Sequence, residues 1–513
     1  MRVADQCDVV VIGAGPAGST AAQLLASWGW SVVLIHREAT TPSLAESLPA
    51  STRKLLAFLG QLTRVEGAGF HPNDGNVARW AGASRVTRTP VSGFHVSRAD
   101  FDRVLRTSAA AARAGIVEGV VRRVDAGDPM RVTCASADGA STVIHSRFVL
   151  DCSGRTGIVA RRGWRRADAR YGTLAIAAEW ECPDWPEGER TQTLVESYPD
   201  GWAWSVPLSA TRRQCTVMIE RRGDRKPPSP RLRRSAEALR EGGRVALHEQ
   251  YGREIANTTE LRSRLECATQ VAAPFACDAS IYDCTQAAGN GVLLVGDAAS
   301  FIEPLSSAGV KKALLSAWRA AVVANTCLKD STIAGAALDL YNRRERQVHA
   351  DCLRRSTAFF AEAAAAYGSS FWTARAETAQ AGDALPAGAD GDWTDEALAQ
   401  DAGVRDAFAF LRAAEGVRLQ PAAALRIEPV AAIEGREVVL RDALIVPGAE
   451  APMRFAAGVD LPALAQLARA GRDVSALITA YHEAVGPVPV AGLLTGLSLL
   501  VARHALVAEG SPS

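Results

Sequence analysis

The sequence predicts an α/β (α+β) protein in three parts: a Rossmann-like nucleotide-binding domain, an antiparallel-sheet domain interwoven with it, and a small, mainly helical C-terminal domain. Three observations support this fold class. An apolar strand runs into a G-x-G-x-x-G loop at the start of the chain, two later apolar strands end in turns of small residues, and the composition changes after about residue 380. With 513 residues, the chain is longer than one hydrophobic core usually supports.

The opening motif reads D-V-V-V-I-G-A-G-P-A-G at residues 8–18. In such a motif Gly13 permits a tight turn, Gly15 lets the backbone approach a pyrophosphate, and Gly18 lets the following helix pack closely. The N-terminus of that helix supplies partial positive charge. We therefore expect a bound nucleotide cofactor at this end of the chain.

The first βαβ unit continues with a helix over residues 19–28 and a strand over residues 31–35. The end of the second strand normally carries an acidic residue that binds a ribose. Here the position reads His36-Arg37-Glu38, so the carboxylate is displaced. We expect His36 to hydrogen-bond a ribose hydroxyl, and Arg37 to stack on adenine or reach a phosphate.

Composition excludes several classes of protein. The chain has 48% hydrophobic and 22% charged residues and a net charge of +1, which is ordinary for a globular protein and leaves no basic stripe for nucleic acid. The apolar run at residues 488–502 contains glycine and proline and is too short for a membrane span. Ten cysteines and eight histidines lack ligand spacing, so we expect reduced thiols, no metal site, no membrane and a cytoplasmic location.

Four later segments share the character of strand ends or helix starts. They read V-S-R-A-D-F at 96–101, F-V-L-D-C-S-G-R at 148–155, G-V-L-L-V-G-D-A-A at 291–299 and F-I-E-P-L-S-S-A-G-V at 301–310. Their order resembles that of the FAD-dependent aromatic hydroxylases and, more narrowly, of the flavin-dependent halogenases and their monooxygenase relatives. The resemblance covers about residues 7–375. It implies FAD, O₂, and electrons from NAD(P)H or from a partner flavin reductase.

The resemblance also implies individual roles. Arg98 would lie near the pyrophosphate and ribityl chain, and Asp297 would hold a ribityl hydroxyl. The residues expected to bind the cofactor are Gly13, Gly15, Ala17, Gly18, His36, Arg37, Ser47, Arg98, Val121, Asp151, Gly296, Asp297, Pro304, Ser307, Gly309 and Val310.

Two features narrow the family. A-E-S-L-P at residues 45–49 resembles the halogenase G-E-S-L strap between flavin and substrate, without its leading glycine. G-W-A-W-S-V-P at residues 201–207 resembles the halogenase signature W-x-W-x-I-P, with Val206 in place of isoleucine. The two tryptophans are equally typical of core packing in an alternating strand. S-S-F-W-T-A-R at residues 369–375 is similar to a helical segment of phenol and pyrrole halogenases.

One halogenase feature is absent. The family places a lysine some way after the strap, between flavin and substrate, but residues 55–82 contain none, and Lys54 lies too close to the strap. Arg79 is a cation that stays protonated and so differs from lysine. We therefore expect hydroxylation of an electron-rich aromatic, such as indole or tryptophan, through a flavin hydroperoxide. Candidate catalytic residues are Glu46, His71 and Asp74.

We expect residues 1–380 to form the catalytic region, with substrate-side segments at about 47–95 and 165–285. Residues 381–400 read as a linker and 401–513 as an extension. Within the extension, a strand at 437–446 and helices at 461–470, 474–485 and 490–507, capped by Asp460 and Asp473, predict a winged-helix-like module. This module either docks a peptide or carrier-protein substrate or packs against the catalytic region.

Several alternatives stay open at this point. The family includes a monooxygenase that oxidises tryptophan within a peptide during tryptophylquinone biogenesis, which is our preferred specific interpretation. A free or carrier-bound indole, phenol or pyrrole would use the same flavin chemistry, and a halogenase is the main enzymatic alternative. A non-catalytic FAD-binding maturation scaffold is a further alternative, whereas the W-x-W pair argues against a geranylgeranyl-type reductase.

Overall fold

The computed structural model describes residues 5–38, 42, 44–136, 139–167, 172–221, 236–289, 291–377, 392–393, 395–413, 416–447 and 452–508. The chain divides into two compact units. The first unit comprises Met1–Leu328 and Tyr341–Asp383, and the second comprises Lys329–Leu340 and Ala384–Ser513. Most of the expected linker, residues 381–391 and 394, lies outside the described residues.

The first unit consists of strands and helices that follow one another along the chain in three groups. The first group is β1 (Gln6–Ile12), α1 (Pro16–Ser27), β2 (Val32–His36), β3 (Ala45–Leu48), α2 (Ser51–Phe58), α3 (Leu62–Glu66), β4 (His71–Trp80), β5 (Ala83–Ser97) and α4 (Arg98–Ala111). The second group is β6 (Gly115–Glu118), β7 (Val120–Asp125), β8 (Met130–Ala135), β9 (Ser141–Asp151), β10 (Arg165–Ala167), β11 (Thr173–Glu181), β12 (Gln192–Tyr198), β13 (Gly201–Pro207) and β14 (Arg212–Glu220). The third group is α5 (Ala236–Asn257), α6 (Glu260–Leu265), β15 (Thr269–Gln270), β16 (Phe275–Asp278), β17 (Tyr282–Cys284), β18 (Ala288–Gly289), β19 (Val292–Leu294), α7 (Gly309–Lys329), α8 (Ala334–Tyr367) and α9 (Ser370–Ala376).

The nucleotide-binding sheet has the strand order β18-β19-β9-β1-β2-β6, and β7 and β8 extend it from the N-terminal half of β9. The pairs β19–β9, β9–β1, β1–β2 and β2–β6 are parallel. Residues 9–12 of β1, 32–35 of β2 and 148–150 of β9 are continuous apolar runs because helices cover both faces of such a sheet. Parallel pairing brings the carboxyl ends of these strands to one edge, where ligands of this fold bind.

The second sheet of the first unit is mainly antiparallel, in the order β15-β11-β14-β13-β12-β4-β5-β3, with β16 also paired to β11. Successive side chains of β14 point alternately to the two faces of the sheet. Cys215 and Val217 pack in a core cluster with Tyr251 and Ile255 of helix α5, whereas Thr216 and Met218 point to the opposite face. The predicted fold class, a Rossmann-like domain interwoven with an antiparallel sheet, is confirmed.

The second unit has its own elements and its own core. Its elements after α8 are β20 (Asp392–Trp393), α10 (Asp395–Gln400), α11 (Ala402–Ala413), β21 (Leu419–Pro421), β22 (Arg426–Glu434), β23 (Glu437–Ile445), β24 (Phe455–Ala456), β25 (Val459–Asp460), α12 (Leu461–Ala468), α13 (Val474–Ala484), α14 (Val490–Ala502) and β26 (Leu506–Ala508). Leucines of helices α12, α13 and α14 are buried together in its centre.

The second unit differs from the sequence prediction in two respects. The strand at 437–446 has a partner, β22, and helices α10 and α11 precede them. The last helix ends at Ala502 rather than at residue 507, because His504 takes the left-handed conformation (φ +54°) that commonly terminates a helix. The residues that follow pair with β21 instead.

Candidate active site

A cavity in the first unit lies between the carboxyl edge of the nucleotide-binding sheet and one face of the antiparallel sheet. The nucleotide-side wall is formed by Gly15, Pro16, Ala17, Arg98, Cys152, Gly154, Arg155, Asp297, Pro304, Ser307, Gly309, Val310 and Ala313. The opposite wall, which we call the sheet wall, is formed by Thr193, Val195, Trp202, Trp204, Val206, Thr216, Met218 and Ala175. The lining is completed by residues 44–47 and by Cys277, Ala279, Phe301, Ile302 and Leu305.

The glycine loop has room only for backbone at Gly13 and Gly18. Gly13 has φ +100°, and a Cβ on it would lie 2.5 Å from the carbonyl oxygen of Cys152. A Cβ on Gly18 would lie 1.8 Å from the carbonyl oxygen of Gly13, so helix α1 packs directly on the turn. Gly15, which caps this helix, has ordinary contacts and lines the cavity. The loop therefore fits a pyrophosphate that approaches Gly15 and the first turn of α1.

The end of strand β2 fits a ribose through His36. The side chain is buried, and its Nδ1 has no hydrogen-bond partner among the described groups, with Glu38 3.8 Å away. Burial and the nearby Arg106 lower the pKa of His36. A neutral imidazole with an unpaired nitrogen suits a hydroxyl ligand. Arg37, by contrast, is exposed.

Arg98 opens helix α4 and links two carboxylates at the cavity. Its Nε donates to Asp102 at 3.1 Å, and its Nη1 donates to Glu46 at 3.3 Å. Burial disfavours the charge of Arg98, but Asp102 and Glu46 outweigh it and raise the pKa of Arg98. Burial also disfavours the charge of Glu46 and raises its pKa, although Arg98 acts to lower it. The sequence-predicted Glu46 thus lines the cavity beside the predicted cofactor residue Arg98.

Asp297 is held by groups that the sequence did not indicate. The Nζ of buried Lys312 lies 3.6 Å from the Asp297 carboxylate and donates to the carbonyl oxygens of Gly296 and Ser300. The hydroxyl of Tyr282 donates to the backbone oxygen of Asp297 at 2.6 Å. These contacts fix the turn, and the Asp297 side chain stays open to the cavity, where it fits a ribityl hydroxyl.

Four predicted cofactor side chains do not reach the cavity lining, namely those of His36, Arg37, Asp151 and Val121. Asp151 is fully buried, and its carboxylate accepts hydrogen bonds from the amides of Ser153 and Val159 at 3.1 and 2.7 Å. It stabilises the turn after β9. Val121 is buried on strand β7. Gly13, Gly18 and Gly296 shape the cavity through their backbone without lining it.

The predicted catalytic residues His71 and Asp74 lie on strand β4 and do not line the cavity. The Nε2 of His71 contacts the carbonyl oxygen of Arg190 at 2.7 Å, and Asp74 accepts a hydrogen bond from Ser92. A polar H-P-N-D-G sequence is typical of a loop, but pairing with β5 and β12 makes it a strand with an irregularity between Asn73 and Gly75.

Ser47 is anchored to the sheet wall by a chain of hydrogen bonds. Its Oγ accepts from Thr193 Oγ1 at 2.8 Å and from Asn73 Nδ2 at 2.9 Å. Thr193 Oγ1 in turn lies 2.9 Å from Nε2 of His95, which is buried. Burial, with His71 and Arg213 nearby, lowers the pKa of His95 to about 3. A neutral histidine, which sequence analysis missed, therefore supports the strap.

Glu303 is a second titratable group that sequence analysis missed. It is 3% exposed, between the lining residues Ile302 and Pro304. Burial raises the pKa of Glu303 to about 7, although Arg375 and the indole of Trp202 act to lower it. Trp202 lines the cavity and contacts Trp204, with ring centroids 5.3 Å apart. A carboxyl group that titrates near neutrality is thus placed behind the cavity.

The cations of the described cavity lining are Arg98 and Arg155, and none of these lining residues is a lysine. Arg155 stacks on the ring of Phe301 at 4.6 Å and lies 3.9 Å from Asp278. Arg79 lies on β4, 43% exposed and 3.8 Å from Glu260, away from the lining. In the part of the chain that the structure describes, there is no cluster of metal-ligating side chains, and no helix is long and apolar enough to cross a bilayer.

Comparisons with known proteins fit this geometry. The family model for tryptophan halogenases matches residues 73–390. A tryptophan 2-halogenase of Chondromyces crocatus is 29% identical over 357 residues, which make up 67% of this chain and 66% of that protein. The match thus spans just under two thirds of that relative.

Two solved structures match nearly the whole chain. A peptidyl tryptophan dihydroxylase, QhpG, essential for tryptophylquinone cofactor biogenesis, has a TM-score of 0.69 at 22% identity, covering 97% of this chain and 99% of that one. A flavin-dependent halogenase, CmlS, has a TM-score of 0.74 at 21% identity, covering 98% and 96%. At these identities the likeness shows a shared fold that includes the second unit.

Proposed function

This chain belongs to the tryptophan halogenase family of flavin-dependent oxidoreductases, and from that premise we propose that it is an FAD-dependent monooxygenase that hydroxylates an electron-rich aromatic ring. The observation that carries the proposal is the lysine-free lining of the described cavity. A halogenase of this family needs an amine that can change its protonation state near the substrate, and the guanidinium groups of Arg98 and Arg155 stay protonated.

The nucleotide-side wall and the end of strand β2 would supply the contacts for FAD. Gly15 and the start of α1 would hold the pyrophosphate, His36 a ribose, and Asp297 the ribityl chain. Reduced FAD, when bound, supplies the reaction of O₂ with two electrons that yields an oxygen atom for transfer. Electrons would come from NAD(P)H or from a partner flavin reductase.

The sheet wall suits the substrate. Trp202, Trp204, Val195 and Met218 form an apolar surface that excludes water from an aromatic ring. Glu46 carries a carboxylate in the same cavity with a pKa raised by burial, so we assign it the removal of the ring proton after oxygen transfer. Arg98 would keep this carboxylate oriented.

The preferred substrate is an indole, in particular a tryptophan side chain within a peptide. The likeness to a peptidyl tryptophan dihydroxylase along 97% of the chain supports this choice but does not exclude others, because a halogenase matches over a similar length. We assign the second unit to docking of the peptide or of a carrier protein. Hydrogen exchange of the full chain with a tryptophan-containing peptide would test this, since docking requires slower exchange within residues 401–508.

Halogenation is the second candidate, favoured by the family model and by the halogenase relative. Arg155 would then have to orient hypohalous acid in place of a lysine. One experiment separates the candidates: FAD-loaded protein is reduced anaerobically by light and mixed with O₂, bromide and a tryptophan peptide or free indole. Products that gain one or two oxygens support monooxygenation, and a bromine isotope pattern overturns it.

Two further readouts complete that experiment. Reoxidation of the flavin with hydrogen peroxide release and no altered aromatic would favour the non-catalytic scaffold. The variant Arg79→Ala removes a cation that lies outside the cavity and serves as a control. Its product distribution should equal that of the wild type.

A further inference from the structure

Two polar side chains lie opposite each other on the sheet wall. Trp204 of β13 pairs in register with Thr216 of β14, and both line the cavity. Directly opposed residues of an antiparallel pair have their Cβ atoms about 4.5–5.5 Å apart. Thr216 is 1% exposed, and its neighbours Cys215 and Val217 face the other side of the sheet. The two side chains therefore form one polar spot beside the apolar side chains of Val195, Val206 and Met218.

Both polar atoms of this spot lack a hydrogen-bond partner among the described residues. Thr216 Oγ1 and Trp204 Nε1 are buried, and neither has a hydrogen bond to any group that the structure describes. A buried hydroxyl or indole N–H without a partner is destabilising. Thr193, also on the sheet wall, is by contrast bonded to Ser47 and His95. Unpaired polar atoms that face a cavity are expected where a ligand completes them.

We propose that Trp204 and Thr216 together bind a carbonyl oxygen of the aromatic substrate. An indole N–H can only donate, and a threonine hydroxyl can donate, so the two converge on an acceptor with two lone pairs, which a carbonyl oxygen offers. Val195, Val206 and Met218 surround the pair, so this patch of the wall offers a carboxylate no cation. The substrate class is thus an aromatic ring that carries a neutral amide or thioester carbonyl, and this inference rests on the proposed function.

The amide of a peptide and the thioester of a carrier arm share this carbonyl chemistry. Binding to the FAD-loaded protein can be measured with three probes: N-acetyltryptophanamide, the N-acetylcysteamine thioester of pyrrole-2-carboxylate, and 3-methylindole, which has no carbonyl. Thr216→Val is expected to weaken binding of the carbonyl probe that the protein prefers about ten-fold, with unchanged binding of 3-methylindole. Thr216→Ser retains the hydroxyl and should retain the affinity.

The stability of the ligand-free protein provides an independent test. Because Thr216 Oγ1 has no described partner, Thr216→Val should leave the melting temperature unchanged or raise it. The matched control is Thr173→Val, since Oγ1 of the buried Thr173 accepts a hydrogen bond from Arg375 at 2.9 Å, and this variant should melt at a lower temperature.

The outcomes separate the two levels of the proposal. A fall in melting temperature for Thr216→Val like that of Thr173→Val, or equal weakening of all three probes, overturns carbonyl binding by the pair. If the wild-type protein binds 3-methylindole but neither carbonyl probe, carbonyl binding by the pair is also overturned. The proposed action on an aromatic ring is then retained. If none of the probes binds, the proposed function is contradicted, and the melting temperatures alone decide whether Thr216 is unpaired.

Discussion

Thr193 donates a hydrogen bond from its Oγ1 to the Oγ of Ser47 at 2.8 Å, so that strand β12 of the sheet wall holds the strap, residues 45–49. The same Thr193 oxygen contacts Nε2 of the buried His95. The position of the strap therefore depends on a side chain 146 residues away in the sequence.

Thr193→Val is expected to destabilise the protein by about 1–3 kcal/mol, because it leaves the buried His95 nitrogen and Ser47 without this partner. A looser strap should also admit water to the cavity and increase hydrogen peroxide release per flavin reoxidised. Thermal unfolding and a peroxide assay measure the two effects. The exposed Thr142→Val serves as control, and equal behaviour of both variants would contradict the anchoring role.

Gly15→Ala should fold normally and bind FAD at least about ten-fold more weakly. The added methyl group meets side-chain atoms of Arg98 and Asp102 at 3.7 Å, an ordinary contact, but occupies the approach to the pyrophosphate. Melting temperature and flavin absorbance after gel filtration check this. Gly18→Ala should not fold, and Gly188→Ala, with open space around it, should resemble the wild type. Wild-type FAD affinity in Gly15→Ala would contradict the assigned loop.

Glu303 predicts a specific pH dependence of stability. Its ordinary pKa is 4.5, and burial raises the pKa in the folded protein to about 7. Between these values the unfolded chain loses a proton that the folded protein keeps, so the contribution of Glu303 to stability falls as the pH rises from 4.5 to about 7. Over the full interval this effect amounts to roughly 3 kcal/mol.

Glu303→Gln removes this titration, and its melting temperature relative to the wild type should therefore rise from pH 5 to about pH 7 and then level off. Melting curves across this range are the measurement. Glu362→Gln, at an exposed glutamate of helix α8, is the control and should show a constant difference. A constant difference for Glu303→Gln as well would refute the raised pKa.

Asp460→Ala should weaken the second unit by about 1 kcal/mol, because Asp460 caps helix α12 by accepting a hydrogen bond from the amide of Ala463 at 2.9 Å. FAD affinity should not change. Hydrogen exchange of the α12 amides measures the local effect, and Asp406→Ala, at an exposed residue of α11, is the control. Unaltered exchange in α12 would show that the cap contributes nothing measurable.

Local sequence predicted the parts of the site that depend on backbone geometry. The Gly13–Gly15–Gly18 spacing and the strand ends at His36 and Asp297 follow from neighbouring residues, and the structure places all of them at one edge of the parallel sheet. Predicted roles for His36, Arg98 and Asp297 stay predictions that their positions support.

Contacts between distant segments were beyond the reach of sequence patterns. In the sequence, His95 is one polar residue of a strand and Glu303 is one residue of a loop motif. Only the folded structure shows that His95 contacts Thr193 of β12 and that Glu303 interacts with Trp202. His71 and Asp74 carry chemistry that suits a base, but strand pairing directs them elsewhere. Side-chain type therefore identified candidates, and tertiary pairing decided between them.

The polar N–H and O–H groups of the sheet wall belong to Thr193, Trp202, Trp204 and Thr216, none of which carries a charge. The hydrogen bonds that these side chains offer a substrate are consequently insensitive to ionic strength, since salt screens interactions between charged groups. Exchanges among hydroxyl-bearing and aliphatic residues at these positions would alter selectivity while the net charge of the protein stays the same.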